Sequence, residues 1–240
     1  MKIRYFFVLL SIFVLFSACG KKEDIISVRY KEEKTLNGTF KAKFEISLEN
    51  VARPQKTAKL LEKLIYQGKS IDEYAVFAQD NFIKTIKNED YLPIIGQDGK
   101  EYFNQSYFNE IYKILFHDDS YIIIEYNKYY TFSYAAHGNI LTQYFIIDIA
   151  QGRILDIDDI AAPLPDDFLA GMIRTNYNIT GNFQRENIWP PDTINIKHDS
   201  IELFWNVYTI TPYAYGIIGV SLQDDSFLTP KGKDVKAKIR

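Results

Sequence analysis

The chain holds a single cysteine, Cys19, among its 240 residues. An intrachain disulfide is therefore excluded, and from residue 20 onward so is thiol catalysis. Histidine is almost as scarce. His117, His137 and His198 lie far apart and form none of the short spacings that mark a metal site. No excess of basic charge exists: the formal net charge is −3, so the chain lacks the electrostatic field that holds nucleic acid. No phosphate-binding glycine loop, GxGxxG turn, GxSxG elbow, SxxK nucleophile or HExxH helix occurs. No apolar run reaches the about 20 residues that a spanning helix needs. Two tryptophans contrast with 18 tyrosines and 17 phenylalanines. Tyrosine suits half-buried strands, where the ring packs and the hydroxyl reaches water. With 47% hydrophobic and 25% charged residues, the composition is that of a globular protein.

The N-terminus carries an address. Lys2 and Arg4 precede an apolar run from Tyr5 to Phe16, the layout of a secretory signal. Its end, Leu15-Phe16-Ser17-Ala18-Cys19, resembles the lipobox of bacterial lipoproteins. That resemblance implies removal of residues 1–18 and lipid on the sulfur and amino group of Cys19. Residues 19–26 then form a polar tether. The expected location is the bacterial cell envelope, at the outer membrane or a periplasmic face, with the membrane as partner through the lipid anchor.

Beyond the tether, residues 27–105 begin with an alternating strand, Phe40 to Leu48. Pro54 opens a helix that Gly68 stops, and Ser70 with Glu73 reads as a capping box before a second helix. That helix bears the stripe Ile71, Tyr74, Ala75, Ala78, Phe82 and Ile86. Residues 106–230 turn to strands. Tyr107–Phe116 and Tyr121–Phe132 flank the tip His117-Asp118-Asp119-Ser120, followed by a strand over 139–149. Pro165-Asp166-Asp167 opens a helix to about Tyr177, and strands at 193–197, 201–207 and 216–222 follow. Residues 231–240 read as a frayed basic tail. The expectation is an α+β fold, an antiparallel sheet with helices packed on one face, and no parallel nucleotide-binding sheet.

Two segments resemble a known family. One is Tyr129 to Asn139, with the turn Tyr134-Ala135-Ala136-His137-Gly138, leading into Tyr144 to Ile149. The other is Tyr208 to Gly216, with Pro212-Tyr213-Ala214-Tyr215, leading into Ile217 to Val220. These resemble the RsiV-like extracytoplasmic domains, DUF3298, over about Tyr107 to Thr229. The helices before them are similar to the DUF4163 segment. Ala135 stands where that family usually has glycine. The resemblance implies an α+β domain outside the cytoplasmic membrane. In one member type this domain belongs to an anti-sigma factor and binds lysozyme; in another it is joined to a peptidoglycan deacetylase. Neither a sigma-binding segment nor a deacetylase domain accompanies it in this sequence.

The expected function is thus a lipid-anchored binding module, not an enzyme, recognising a lysozyme-like protein or peptidoglycan without metal or organic cofactor. An envelope hydrolase using a His-Asp or carboxylate pair, and a purely structural lipoprotein, are the alternatives. Asp148, Asp156, Asp158, Asp159, Asp166 and Asp167 are the carboxylates such a hydrolase would draw on. The candidate ligand-binding residues are Tyr134, His137, Asn139, Tyr213 and Tyr215, small turns carrying amphipathic rings between apolar strands. The competing reading makes Tyr213 a core ring and His137 a turn-fixing group, each satisfied locally.

Overall fold

The structure is a computed structural model. It describes residues 30–35, 39–47, 54–88, 94–95, 97–98, 101–102, 106–131, 137–184 and 186–239. Residues 1–29, which hold the expected signal, Cys19 and the expected tether, lie outside the described residues, as does Tyr134. No helix among the described residues is long and apolar enough to cross a membrane.

Six strands form the main sheet. They are β1 (Tyr30–Thr35), β2 (Thr39–Ser47), β5 (Ser106–His117), β6 (Tyr121–Thr131), β7 (Asn139–Asp148) and β8 (Arg153–Ile154), in the order β1-β2-β5-β6-β7-β8. Two short strands, β3 (Ile94–Ile95) and β4 (Glu101–Tyr102), pair separately. The expected alternating strand is β2, and it joins the sheet beside β5 as its one parallel pair. The crossover between them carries α1 (Pro54–Leu64) and α2 (Ile71–Asn88). All other pairings in this sheet are antiparallel, and the fold is α+β as expected.

Local chemistry accounts for the elements. Gln67 and Gly68, both at positive φ, end the chain's first helical stretch, with the Gly68 N–H returning to the Glu62 carbonyl at 2.8 Å. The capping box forms: the Ser70 N–H donates to Glu73 Oε2 at 2.8 Å and the Glu73 N–H donates to Ser70 Oγ at 3.3 Å. At the β5–β6 tip, Asp118 Oδ1 accepts from the N–H groups of Ser120 and Tyr121, each at 2.7 Å. Leu115 is the extra residue of a bulge in β5 and is exposed.

The later strands split from the main sheet. β9 (Thr193–Ile196), β10 (Ile201–Trp205) and β11 (Ile218–Leu222) make a three-stranded antiparallel sheet of order β11-β10-β9. It meets the edge of β7 through side chains. Thr193 Oγ1 accepts from the Tyr144 N–H at 2.7 Å and donates to the Tyr144 carbonyl at 3.1 Å. The Asn206 amide does the same for Thr142, at 2.8 and 3.1 Å. Two side chains thereby satisfy an edge that would otherwise be open to pairing with another strand.

Helices α3 (Ile157–Ile160), α4 (Asp166–Tyr177) and α5 (Pro230–Lys238) complete the fold. The two early helices cover one face of the main sheet, with Leu61, Tyr66, Ile71 and Ala75 packed on Tyr112, Ile122, Ile124, Tyr126 and Ile147. The opposite face is also covered. Tyr121, Ile123 and Ile146 pack there against the three later helices and the small sheet. Residues 231–240, expected as a frayed tail, instead lie mostly in α5. Thr229 Oγ1 accepts from the Gly232 N–H at 3.1 Å as the N-cap, and Pro230 opens the helix. Val235 and Gly232 are buried, and Lys231 Nζ meets Asp148 Oδ2 at 2.8 Å. Packing and an ion pair, both invisible in a lysine-rich stretch, hold the segment down.

Candidate functional site

Two of the expected residues meet at one end of the strands. His137 lies just before β7, and Tyr213 opens a single 3-10 turn, Tyr213–Tyr215, after β10. Their rings stack, with centroids 3.5 Å apart and planes at 12°. Tyr208, from the loop after β10, completes the group. Its ring lies 5.7 Å from that of Tyr213, and its hydroxyl is 2.9 Å from His137 Nε2. His137 Nδ1 is 3.3 Å from the Gly138 carbonyl. A neutral imidazole satisfies both contacts, donating from Nδ1 to Gly138 and accepting at Nε2 from Tyr208.

The loop that presents Tyr208 is held at its base. Asp192 Oδ2 accepts from the Asn206 N–H and from Thr209 Oγ1, each at 2.6 Å. The Asn206 amide is bound to β7 as described, and the Gln184 N–H donates to the Ile210 carbonyl at 2.7 Å. Tyr208 adopts φ +66°, a left-handed conformation that costs a side chain roughly 1–2 kcal/mol. The surrounding hydrogen bonds hold it there. On the other side, a Cβ at Gly138 would run into the tip of the Tyr129 ring that lies against the turn, so a side chain there would push that ring aside.

The cluster is accessible at its tip. Tyr208 is 49% exposed and His137 is exposed, while Tyr213 is half-buried. Asn139 begins β7 opposite Tyr130 and is half-buried. Tyr215 is exposed at the end of the 3-10 turn, outside the ring stack. The arrangement is a surface of amphipathic rings. Among the described residues no carboxylate bonds to His137, whose partners there are a phenol and a carbonyl.

The other histidines stand apart. His117 Nε2 bonds Thr57 Oγ1 at 3.1 Å, and burial holds its protonation below the usual imidazole range despite Asp118 and Asp119. His198 is exposed in the β9–β10 turn. Among the described residues, no three His, Cys, Asp or Glu side chains group so as to hold a metal ion. The carboxylates divide among structural partners. Asp148 pairs with Lys231 and Asp159 with Arg153. Asp166 Oδ1 accepts from the N–H groups of Ile188 and Trp189 at 2.9 and 2.8 Å.

Sequence reasoning did not single out Tyr208, Asn206 or Asp192, nor the buried Glu110. Glu110 had a signal: it shares strand parity with Phe108 and Tyr112, both buried, so its carboxylate falls on an inward face. Asp192 and Asn206 had none, because their partners lie across the fold.

Fold and site together define an α+β domain that carries a loop-borne aromatic cluster beside a side-chain-sealed sheet edge. Residues 159–224 match the family described as "Protein of unknown function (DUF3298)". That span runs from α3 to just past β11, so it includes the Pro212–Gly216 segment and not the His137 turn. The fold is similar to that of a DUF3298 family member from Bacteroides fragilis NCTC 9343, with 16% identity and a TM-score of 0.64. The match covers 90% of this chain and 97% of that one. It is also similar to a DUF3298 family protein from Pseudomonas aeruginosa PAO1, with 14% identity, a TM-score of 0.50 and coverage of 87% and 97%. At these identities the likeness is one of fold. No curated protein matches the chain.

Proposed function

We propose that this protein is a lipid-anchored binding module of the bacterial cell envelope, and that His137, Tyr208 and Tyr213 form its contact surface for a lysozyme-like protein or peptidoglycan. The observation that carries this reading is the ring stack itself. Residues 71 apart in sequence are bonded together at an exposed loop tip whose base is tied to the sheet. Rings held in place before a ligand arrives lose little freedom on binding, and aromatic side chains supply large contact area with a polar tip. The left-handed Tyr208 fits the same picture, since backbone strain gathers where a side chain must be presented in one direction. The lipid anchor rests on the signal layout and lipobox ending at Cys19, and the choice of ligands on the resemblance to RsiV-like domains.

The test uses the full chain expressed in a bacterial host. Cys19→Ala is expected to move the protein from the detergent phase to the aqueous phase or to block signal removal; unchanged partitioning and mass remove the anchor. For the surface, detergent-solubilised protein is titrated with lysozyme and with purified peptidoglycan. His137→Ala and Tyr213→Ala are each expected to weaken capture roughly tenfold, about 1.4 kcal/mol, at an unchanged melting temperature. Capture by neither partner, or capture that survives both substitutions, defeats the surface.

A further inference from the structure

Between α2 and the strands β5 and β6 lies a pocket of about 440 Å³, a size typical of small-molecule sites. Phe77 and Phe82 of α2, with Phe108 and Tyr130 of the sheet, supply its apolar walls. Phe82 lies 4.9 Å from Phe108 and 6.3 Å from Tyr130, ring to ring. Glu110 belongs to the lining and is 2% exposed. One of its oxygens is well served: Oε1 accepts from the Tyr126 hydroxyl at 2.6 Å and faces Lys128 Nζ at 3.4 Å. The other, Oε2, is buried with no hydrogen-bond partner among the described residues.

An unsatisfied buried carboxylate oxygen is costly, and a well-packed apolar side chain would serve a core better. The carboxylate therefore needs a reason to be there, and a donor arriving from the pocket provides one. The surrounding charges narrow its chemistry. Lys128 Nζ sits 5.3 Å over Phe108 and 5.7 Å over Tyr130, and Lys69 Nζ sits 4.5 Å over Phe77. These two ammonium groups stand at the pocket's walls, so a cationic guest meets like charge. An anion meets the carboxylate. What remains is a neutral guest with hydrogen-bond donors and an apolar face to lie on the rings. Gln67 and Asn81 add amide groups to the lining.

We infer that this pocket binds a neutral saccharide unit, one hydroxyl donating to Glu110 Oε2 while the sugar's C–H face packs on Phe77 and Tyr130, the half-buried rings of the lining. Lys128 stands over the carboxylate at a separation longer than a charge-assisted hydrogen bond, about 2.7–2.9 Å, and a third of its side chain is exposed. It faces Oε1 and leaves Oε2 to the entering hydroxyl. This site does not rest on the loop cluster.

Calorimetric titration of the full-length protein tests it, with cellobiose, maltose, lactose and N,N′-diacetylchitobiose as neutral probes and tetramethylammonium as the cationic one. Saturable binding of at least one disaccharide and none of tetramethylammonium is expected. Glu110→Gln retains an oxygen for Tyr126 and removes the charge. It is expected to weaken disaccharide binding at least tenfold while holding or raising the melting temperature of the unliganded protein. Ala78→Phe, which fills the pocket from α2 and leaves the Glu110 side chain itself unaltered, is expected to abolish binding. His137→Ala is expected to leave it unchanged. The inference is overturned if no disaccharide binds, if tetramethylammonium binds instead, if binding survives Ala78→Phe, or if it is lost in His137→Ala. It is also overturned if Glu110→Gln lowers the melting temperature by several degrees with binding intact.

Discussion

The strands β5, β6 and β7 bury both of their faces, and the two faces are built from different materials. On the side of α3, α4, α5 and the small sheet, the buried hydrophobic residues are aliphatic apart from Tyr121 and Trp205. Those two have paired polar tips: Trp205 Nε1 donates to the Ile188 carbonyl at 2.8 Å, and the Tyr121 hydroxyl donates to Asp234 Oδ2 at 2.5 Å. On the side of α1 and α2, Tyr66, Tyr112 and Tyr126 are buried together. Tyr112 lies 4.6 Å from Tyr126 and 5.6 Å from Tyr66, centroid to centroid. Burial, and then the negative field of neighbours including Glu110, pushes the ionisation of all three phenols up, so they remain neutral donors. On the first side the buried carboxylate of Asp148 is paired with Lys231 Nζ at 2.8 Å. The other keeps a carboxylate oxygen unpaired beside an open pocket. The two sides differ in how buried charge is answered: the aliphatic side gives its carboxylate an ammonium partner, and the tyrosine side leaves one carboxylate oxygen without a hydrogen bond among the described residues.

Three measurements sharpen or break this comparison. The largest effect is expected from Trp205→Ala. Trp205 is fully buried in the aliphatic core, and its truncation should cost about 3–5 kcal/mol of unfolding free energy in urea. On the other face, Tyr112→Phe removes only a hydroxyl 3.3 Å from that of Tyr74 and should cost about 0.5–1.5 kcal/mol. A cost equal to that of Trp205→Ala would show that the tyrosine face depends on its hydroxyl contacts as heavily as the aliphatic side depends on its largest ring.

Gly232→Ala comes next. A Cβ there would lie 2.1 Å from the Ile160 carbonyl oxygen, so α5 must shift away from α3. The expected cost is about 1–3 kcal/mol, with faster amide exchange confined to α5 and the α3 segment. A melting temperature equal to that of the parent protein would mean that α5 contributes nothing to the aliphatic side.

The smallest effect concerns acid. Arg153 holds the Asp159 carboxyl down at about 2 through paired bonds of 2.6 and 2.7 Å. Burial works against the ionisation of Asp148, yet Lys231 and the Gln151 N–H outweigh it and the carboxyl also lies below its usual range. A carboxyl depressed in the folded state stabilises fully above its unfolded value and loses that contribution as pH falls through its folded value. The melting temperature should therefore decline from about pH 3.8 toward pH 2. Arg153→Ala should flatten part of that decline, and an identical acid profile for the variant would remove the pair from the account.

Much of the local structure was legible because its causes are local. The Ser70–Glu73 box, the Asp118 turn and the Pro165-Asp166-Asp167 helix start each involve groups within a few residues. The β6 run Tyr121-Ile122-Ile123-Ile124 reads as strand from its β-branched content, but all four residues are buried. The lack of polar alternation in that run is itself the sign that both faces of the sheet are covered, and the expectation of helices on one face did not draw on it. The end of the chain misled for a related reason. Lysines at 231, 233, 236 and 238 outweighed the Thr229-Pro230 start signal, although Lys231 is bound to Asp148 and Val235 is buried. At the candidate site, His137 and Tyr213 were legible as turn residues with rings, while Tyr208 was passed over.

The sequence by itself determined the strands, the helix caps, the hairpin tip and the α+β class, since backbone propensity and turn chemistry act over a handful of neighbouring residues. Only the tertiary structure decided that β2 lies parallel to β5 and that Thr193 and Asn206 seal the edge of β7. It alone stacked His137 on Tyr213 and left Glu110 with one unanswered oxygen. These are contacts between segments tens of residues apart. They are set by which faces find apolar partners and which buried polar groups find hydrogen bonds, conditions that exist only once the layers have come together.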